Sequence, residues 1–337
     1  MQSIYRPILK QALSITWQFK HFWFFGLFAA LLGNGGVFNL IFNNIQIVEN
    51  QGVFLLGFKD FIRTFSFSKL SSSLSSLFLA FDFWVVLFFV VILMAIVFFI
   101  WISIVSQAAI VFCIKRALKN SNGLFTEAFR MGTHKFWPVF LLNILMKVIL
   151  FVATLIISLP FIIVFLKGVE SAALQTGHVI LTFLVLVPFA AVLSFLVKYA
   201  TIFVVNENEH VGLAIKNAWQ LFIKNWIVSI EMALLLFLVN ILSSILLVVV
   251  IIFVSLPFVM LGMIASYIAS NTFFWLVVTL GILTFITILF FFGALLNVWQ
   301  TANWVILFEK ILHSDVYSKI LRFGAALTSG KKLETGK

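Results

Sequence analysis

The chain has few charged residues, one cysteine and five prolines among its 337 residues. Charged side chains make up 10% of the sequence, whereas soluble globular domains carry about 25%. Hydrophobic side chains make up 63%, and the mean hydropathy is +1.19. So little charge excludes a water-soluble fold, because a soluble surface of this size needs more polar cover. We therefore expect lipid to be the solvent for most of the chain.

The scarcity of cysteine and histidine excludes several kinds of site. Cys113 stands alone, so the chain has no intramolecular disulfide and no redox pair. No two histidines lie four residues apart, and none has a neighbouring cysteine that would complete a zinc set. The sequence also lacks a Gly-x-Ser-x-Gly elbow, a phosphate-binding loop and a dinucleotide fingerprint. We therefore expect no enzyme activity, no catalytic residue, no metal and no cofactor.

Six apolar runs are long enough to cross a bilayer, which takes about 20 residues. They predict an all-α polytopic helical bundle. The first run is interrupted at residues 33–36 by Gly-Asn-Gly-Gly, where we expect a helix cap or a kink. The runs are residues 22–43, 80–113, 136–166, 178–205, 225–254 and 273–308.

The distribution of positive charge predicts the orientation of the spans. Sixteen Lys and Arg lie in the N-terminal segment, residues 114–135, residues 206–224 and the tail from Lys310. The opposite set of loops has four. Because positive residues concentrate on the cytoplasmic side, both termini are predicted to be cytoplasmic, with an even number of spans. The excess also favours anionic lipid headgroups as partners, and it does not indicate nucleic-acid binding. The four Lys and Arg of the opposite set of loops are Lys59, Arg63, Lys69 and Lys167.

Short segments before the first, third and fifth spans have apolar residues at helical spacing and a Lys-rich opposite face. This pattern is typical of amphipathic helices that lie in the membrane interface. The predicted apolar stripes are Ile8, Ala12, Ile15 and Phe19, then Phe125, Phe129, Gly132 and Phe136, then Ile215, Trp219, Phe222 and Trp226. The predicted interfacial anchors are Trp17, Lys20, Trp23, Trp137, Trp219, Lys224 and Trp226.

Similar residue sequences recur in the spans, and this pattern predicts a threefold repeat of an interfacial helix plus a helical hairpin. The even spans end alike at residues 106–111, 198–203 and 300–305, and Ser-Leu-Pro-Phe occurs twice, at 158–161 and 255–258. The alternative is that amphipathic lead-ins and aromatic belts are common to unrelated membrane proteins. We predict one membrane domain over residues 1–313 and a basic cytoplasmic tail over residues 314–337. The units are about 4–119, 120–208 and 209–313.

Two segments carry a resemblance to a known family. Residues 214–219 lead through Asn225-Trp226 into an aromatic-rich span, and the polar acidic turn at 206–209 precedes them. This pattern resembles the multi-pass membrane domain of some bacterial glycerophosphoryl diester phosphodiesterases and its stand-alone relatives, over roughly residues 4–325. The resemblance implies a bacterial-type plasma membrane. The family's hydrolytic domain is a separate soluble barrel with no counterpart in this chain, so its activity is not carried over.

Four polar residues inside the spans form a candidate site. Lys147, Lys198 and Glu231 are each costly at the bilayer centre, by about 3 kcal/mol on insertion scales, so each is expected to have a partner. Asn143 lies one turn before Lys147, level with Glu231. We consider three interpretations: an ion-paired cluster that holds spans three to five in register, a substrate or proton site, and lysines that extend past lipid to the interface.

Two classes of function remain. The first, which we favour, is a non-catalytic scaffold that binds lipid or a protein partner, including a second copy of itself. The second is a carrier or channel-like protein for a lipid or small anion, with its site between spans three, four and five. Gly26-x-x-x-Ala30 and Ala29-x-x-x-Gly33 predict close approach to another helix without identifying it.

Overall fold

A computed structural model describes residues 5–32, 83–119, 125–166, 172–268 and 270–313. Within these ranges the chain forms nine α-helices and no strand, which confirms the predicted all-α fold. The helices are α1 (Tyr5–Gln18), α2 (Phe22–Leu32), α3 (Phe83–Leu118), α4 (Phe125–His134), α5 (Phe136–Leu166), α6 (Ala172–Asn206), α7 (Val211–Lys224), α8 (Trp226–Tyr267) and α9 (Asn271–His313).

Five of these helices, α3, α5, α6, α8 and α9, are long and apolar enough to cross a membrane, and they make the chain a multi-pass membrane protein. They correspond to predicted spans two to six. The first predicted span is helical over Phe22–Leu32, and its remainder, including the Gly-rich residues 33–36, lies outside the described residues. So do Lys59, Arg63, Lys69, Lys167 and the tail over 314–337.

The fifth span is longer than predicted. It was expected to end at residue 254, but α8 continues to Tyr267 through Ser-Leu-Pro-Phe, with Pro257 inside the helix. The first copy of that tetrapeptide likewise lies within α5, around Pro160. Proline is tolerated inside membrane helices because neighbouring groups satisfy the carbonyl that it frees. Ser-Leu-Pro-Phe therefore lies within both helices and ends five residues before the end of α5 and nine before the end of α8.

The core lies at the end of the bundle where α3, α6 and α9 finish, which we call the packed end. There these three helices contact one another. Phe203 and Tyr199 of α6 place their rings 4.8 and 6.2 Å from the ring of Phe308 in α9. The corresponding alanines of the three similar sequence endings are all buried, which lets the helices approach closely. These alanines are Ala108, Ala200 and Ala302.

The helices α2, α5 and α8 pack on the outside of this three-helix centre. α2 packs on α3 and α9, α5 packs mainly on α6, and α8 packs on α9. Away from the packed end the helices are largely exposed, and residues 87–100 of α3 are exposed throughout. Side chains such as Phe88 and Leu93 are apolar, so this exposed surface suits lipid contact.

The short helices α1, α4 and α7 lie at the packed end. α1 packs on α9, α4 on α3, and α7 on α6. In each short helix, the residues six and two positions before the last one are buried. Small side chains occupy five of these six positions, which brings each short helix close to its long neighbour. The six residues are Ala12 and Thr16, Ala128 and Gly132, and Ala218 and Phe222.

The predicted apolar stripe holds for α1 and holds in part for α4 and α7, where Gly132 and Phe222 are buried as predicted. Ile8, Ala12 and Ile15 are buried as expected. In α7, however, Ala214, Ala218 and Phe222 are buried while Trp219 is 47% exposed. Phe125 of α4 and Trp226 at the start of α8 are exposed as well. Tight packing selects the small residues, and the indole rings, with one polar edge, remain at the surface.

At two of the described glycines a neighbouring helix approaches closely. A Cβ atom on Gly26 of α2 would lie 2.4 Å from the carbonyl oxygen of Ala294 in α9. A Cβ atom on Gly132 of α4 would lie 2.4 Å from the carbonyl oxygen of Val105 in α3. The small-residue motif at Gly26 therefore has α9 as its partner helix.

Candidate functional site

Asn143 pairs with an amide of the neighbouring span. Its Nδ2 donates to Gln107 Oε1 at 3.0 Å and to its own helix at the Val139 carbonyl, 2.9 Å away. Asn143 lies on α5 and Gln107 on α3, and both are half-buried. A hydrogen bond between amides inside the membrane satisfies groups that lipid cannot, so it holds α5 to α3.

Lys198 of α6 lies against an aromatic ring. Its Nζ is 4.5 Å from the centroid of Trp304 in α9, which is a cation–π geometry. Its neighbour Tyr199 is fully buried and shares a 2.8 Å hydrogen bond with Ser229 of α8. These adjacent residues therefore connect α6 to α9 and to α8.

Glu231, in the second turn of α8, accepts a hydrogen bond from the phenol of Tyr5, the first residue of α1. Tyr5 is 5% exposed, and Glu231 is half-buried. α1 therefore packs on α9 and is also joined to α8 by this hydrogen bond.

Lys147 is exposed on α5. The structure thus distributes the predicted cluster over different contacts: Asn143 with Gln107, Lys198 with Trp304, and Glu231 with Tyr5. The third span packs on the fourth and second spans, whereas the fifth packs on the sixth. This topology explains why residues at similar depth on the third and fifth spans have separate partners.

Most of the predicted anchors are exposed at the packed end. Trp137 is the most exposed, at 72%. Trp23 differs, since its Nε1 donates to the Thr16 carbonyl at 2.9 Å and its ring lies edge-on to Phe291 of α9, 5.0 Å away. It holds the joint between α1 and α2 against the bundle. The exposed anchors are Trp17, Lys20, Trp137, Trp219, Lys224 and Trp226.

A cavity of about 450 Å³ opens at the packed end between the ends of α3, α4 and α6. We call it the basic pocket, because α3 and the residue after it contribute three cations to its lining. Its lining consists of Phe112, Lys115, Arg116, Lys119, Met131, His134, Val205, Asn206 and Asn208.

Two ion pairs fix the walls of the basic pocket. Lys115 Nζ lies 2.7 Å from Glu207 Oε1, and it also donates to the Asn206 carbonyl at 2.7 Å. Arg116 lies 3.3 Å from Glu127 Oε2, with its guanidinium over the Phe112 ring at 5.3 Å. Lysine and arginine near a helix C-terminus also interact favourably with its dipole. The pairs join α3 to α6 and to α4.

Lys135, between α4 and α5, contacts Asn208, one of the lining residues of the basic pocket. It is 6% exposed and donates a hydrogen bond to the side-chain oxygen of Asn208. Burial lowers the pKa of Lys135 below its ordinary value of 10.5, because desolvation disfavours the charged ammonium. Asn208 has a left-handed backbone with φ of 61°, which asparagine tolerates better than most residues. The contact fastens the α4–α5 joint to the turn after α6.

A second cavity, of about 900 Å³, lies between α8 and α9 away from the packed end. Its lining is mainly aliphatic and aromatic, and Phe258 packs against Gly281 there. Ser255, Ser266 and Tyr267 are its only polar side chains among the lining residues. An apolar groove of this kind is open to lipid chains.

The sequence pattern singles out Asn143, Lys198 and Glu231 but not their partners Gln107, Trp304 and Tyr5. Gln107 lies within the repeated ending at 106–111, and a polar side chain inside a span indicates a polar partner. Tyr5 precedes the predicted stripe of α1, and nothing in the sequence around it indicates a partner. Within the described residues, no group of three His, Cys, Asp or Glu could hold a metal ion. Comparison with protein-family models, with curated proteins and with solved structures finds no match.

Proposed function

We propose that the chain is a non-catalytic membrane scaffold that engages anionic lipid headgroups at its packed end. The observation that carries the proposal is the ring of contacts there. α4 lies on α3, α7 on α6, and α1 on α9, which are the first and last of the described helices. Since α3, α6 and α9 also contact one another, these contacts close a ring of six helices at the packed end.

The ring also supports the proposed repeat of three units. Each unit consists of a short helix followed by a hairpin, with boundaries near 4–119, 120–208 and 209–313. The buried positions six and two residues before the end of each short helix correspond in all three units. The long helices that end the units, α3, α6 and α9, meet at the centre. An amphipathic short helix in each unit would then lie at the same depth in the interface.

We infer that the packed end faces the cytoplasm of a bacterial-type plasma membrane. Lys and Arg of the short helices and helix ends gather at this end, among them Lys20, Lys115, Arg130 and Lys216. Positive residues next to membrane helices favour the cytoplasmic side. The end of α9 lies at the packed end, as does α1, so both termini would be cytoplasmic.

The polar contacts inside the spans favour a scaffold over a carrier. The Asn143–Gln107, Lys198–Trp304 and Glu231–Tyr5 contacts each join two different helices. Partners within the protein account for these polar groups structurally, without a substrate.

Thiol accessibility distinguishes the two functions. In a Cys113→Ser background, single cysteines replace Asn143, Lys198 and Glu231, and membranes are treated with an impermeant maleimide from either face. The scaffold proposal predicts protection at all three positions, with His210→Cys, an exposed position, as the positive control. Labelling of two or more of the three positions in the folded protein would instead support a water-filled path and a carrier.

The orientation has its own test. His210→Cys lies at the packed end, and Ser270→Cys lies at the opposite end between α8 and α9. On intact cells the impermeant reagent is expected to label position 270 and to label position 210 only after the membrane is opened. The reverse pattern would contradict the cytoplasmic assignment.

A further inference from the structure

The basic pocket holds more cationic side chains than its carboxylates neutralise. Lys115 and Arg116 are each paired with a glutamate. Lys119, which directly follows α3, is exposed at the rim and has no ion pair within the part of the chain that the structure describes. His134 adds a further nitrogen donor to the lining. The pocket is thus suited to an anion.

Asn206 is an independent sign of a ligand. Both of its side-chain polar atoms, Nδ2 and Oδ1, are buried, and neither has a hydrogen-bond partner among the described residues. Buried amides are nearly always hydrogen-bonded, because an unmade bond leaves their desolvation uncompensated. Asn206 lines the basic pocket. These two atoms lie behind the pocket wall. The amide would have to turn towards the cavity to meet a ligand, which would then supply the missing acceptor for its Nδ2.

The position and the lining of the pocket indicate which anion it takes. The pocket lies at the ends of membrane-spanning α3 and α6, where lipid headgroups lie. Phe112, Met131 and Val205 add apolar side chains to its lining, and the guanidinium of Arg116 lies over the Phe112 ring. A phosphate group attached to glycerol and acyl chains matches both parts, since basic pockets between membrane helices hold anionic headgroups.

We propose that the basic pocket binds the phosphate group of an anionic phospholipid, with Lys119 and Asn206 as direct ligands. Lys115 and Arg116, held by Glu207 and Glu127, form the cationic wall. This inference deepens the proposed function and rests on it, because it names the lipid class and the site through which the scaffold engages the membrane.

The test uses the full-length protein, delipidated in neutral detergent and titrated with phosphatidylglycerol, with bound lipid counted by native mass spectrometry. Lipid that adheres to the apolar surface is expected to be retained equally by all variants, so a difference between variants reports binding at the pocket. Lys119→Gln is expected to weaken phosphatidylglycerol binding about tenfold, as a lost charge-assisted contact does. Lys216→Gln is the matched control, since Lys216 is an exposed lysine of α7 outside the pocket. Equal weakening by both variants would overturn the proposal.

A second variant keeps the test independent of charge. Asn206→Ala is expected to weaken lipid binding while leaving the lipid-free protein as stable as the wild type or more stable, because it removes an unpartnered buried amide. Unchanged lipid binding would overturn the role of Asn206 as a ligand.

A third arm separates two sources of phosphate. Competition by inorganic phosphate against phosphatidylglycerol supports recognition of the phosphate group. Binding of inorganic phosphate without any retention of phosphatidylglycerol would overturn the lipid assignment. The labelling at positions 143, 198 and 231, which tests the scaffold proposal, does not involve the pocket. The scaffold proposal and this site can therefore fail separately.

Discussion

The phenol of Tyr5 donates a hydrogen bond to the carboxylate of Glu231, 226 positions later in the chain. This bond joins the first described residue of the first helix to a membrane-spanning helix in the last third of the sequence. It supplements the packing of α1 on α9 and helps to close the ring of contacts at the packed end.

Tyr5→Phe is expected to lower the free energy of unfolding by about 1 kcal/mol, because the half-buried carboxylate loses a donor while the ring remains. The measurement is thermal or denaturant unfolding of the purified protein in detergent. Tyr267→Phe is the matched control, since Tyr267 is 93% exposed. Equal stability of the Tyr5 variant and the control would show that this bond does not help to hold α1.

Gly26→Ala is expected to destabilise the protein by about 1–3 kcal/mol, the usual effect of overpacking. Its new methyl group would meet the Ala294 carbonyl oxygen at 2.4 Å, where backbone cannot move aside cheaply. The melting temperature in detergent measures the effect.

Gly262→Ala is the control for this substitution, because a Cβ atom at that helical position meets nothing within 4 Å. It is expected to leave stability unchanged or to raise it, since alanine favours helix. A neutral Gly26→Ala variant would contradict the close α2–α9 crossing.

The amide pair between α5 and α3 predicts a coupling energy. Asn143→Leu and Gln107→Leu are each expected to destabilise the protein, and the double variant less than the sum of the two. The coupling should be about 0.6–1.7 kcal/mol, the range for hydrogen bonds between membrane helices. A double-mutant cycle on unfolding measures it, and strict additivity would show that the two amides do not interact.

Lys135 predicts a dependence of stability on pH. Its pKa in the folded protein is lowered by burial from the ordinary 10.5. Between the lowered value and 10.5 the unfolded chain binds more protons than the folded one, so this residue makes stability rise with pH across that window. Below the window, the charged ammonium in the folded state keeps its full desolvation cost.

The check compares the unfolding free energy of the wild type with that of Lys135→Gln at several pH values up to about 11. The wild type is expected to gain stability relative to the variant as the pH rises. A difference that stays constant, or that falls with pH, would contradict the lowered pKa.

The sequence predicted the all-α fold and the position of five spans, because unbroken apolar runs leave few alternatives in lipid. It did not predict which face of α7 is buried. Trp219 is more hydrophobic than Ala218, but close helix packing buries the alanine and leaves the indole at the surface.

For the polar contacts, the sequence indicated one residue of each pair but not its partner. Lys198 and Glu231 stood out, since charge inside an apolar run is conspicuous. Their depths suggested a shared cluster, but contact also depends on which helices are neighbours. Trp304 and Tyr5 became partners through the packing of α9 on α6 and of α1 across the bundle, and a single sequence does not contain that topology.

The most direct test of the central claim, three equivalent units around one centre, measures distances between the short helices. Ser14, Arg130 and Gln220 each lie four residues before the end of α1, α4 and α7, and all three are exposed. Pairs of spin labels at these positions, in a Cys113→Ser background, give three distances by pulsed electron paramagnetic resonance. Three equivalent units around one centre predict three similar mean distances. One distance close to the sum of the other two would mean that the short helices lie in a row, and it would contradict the closed ring.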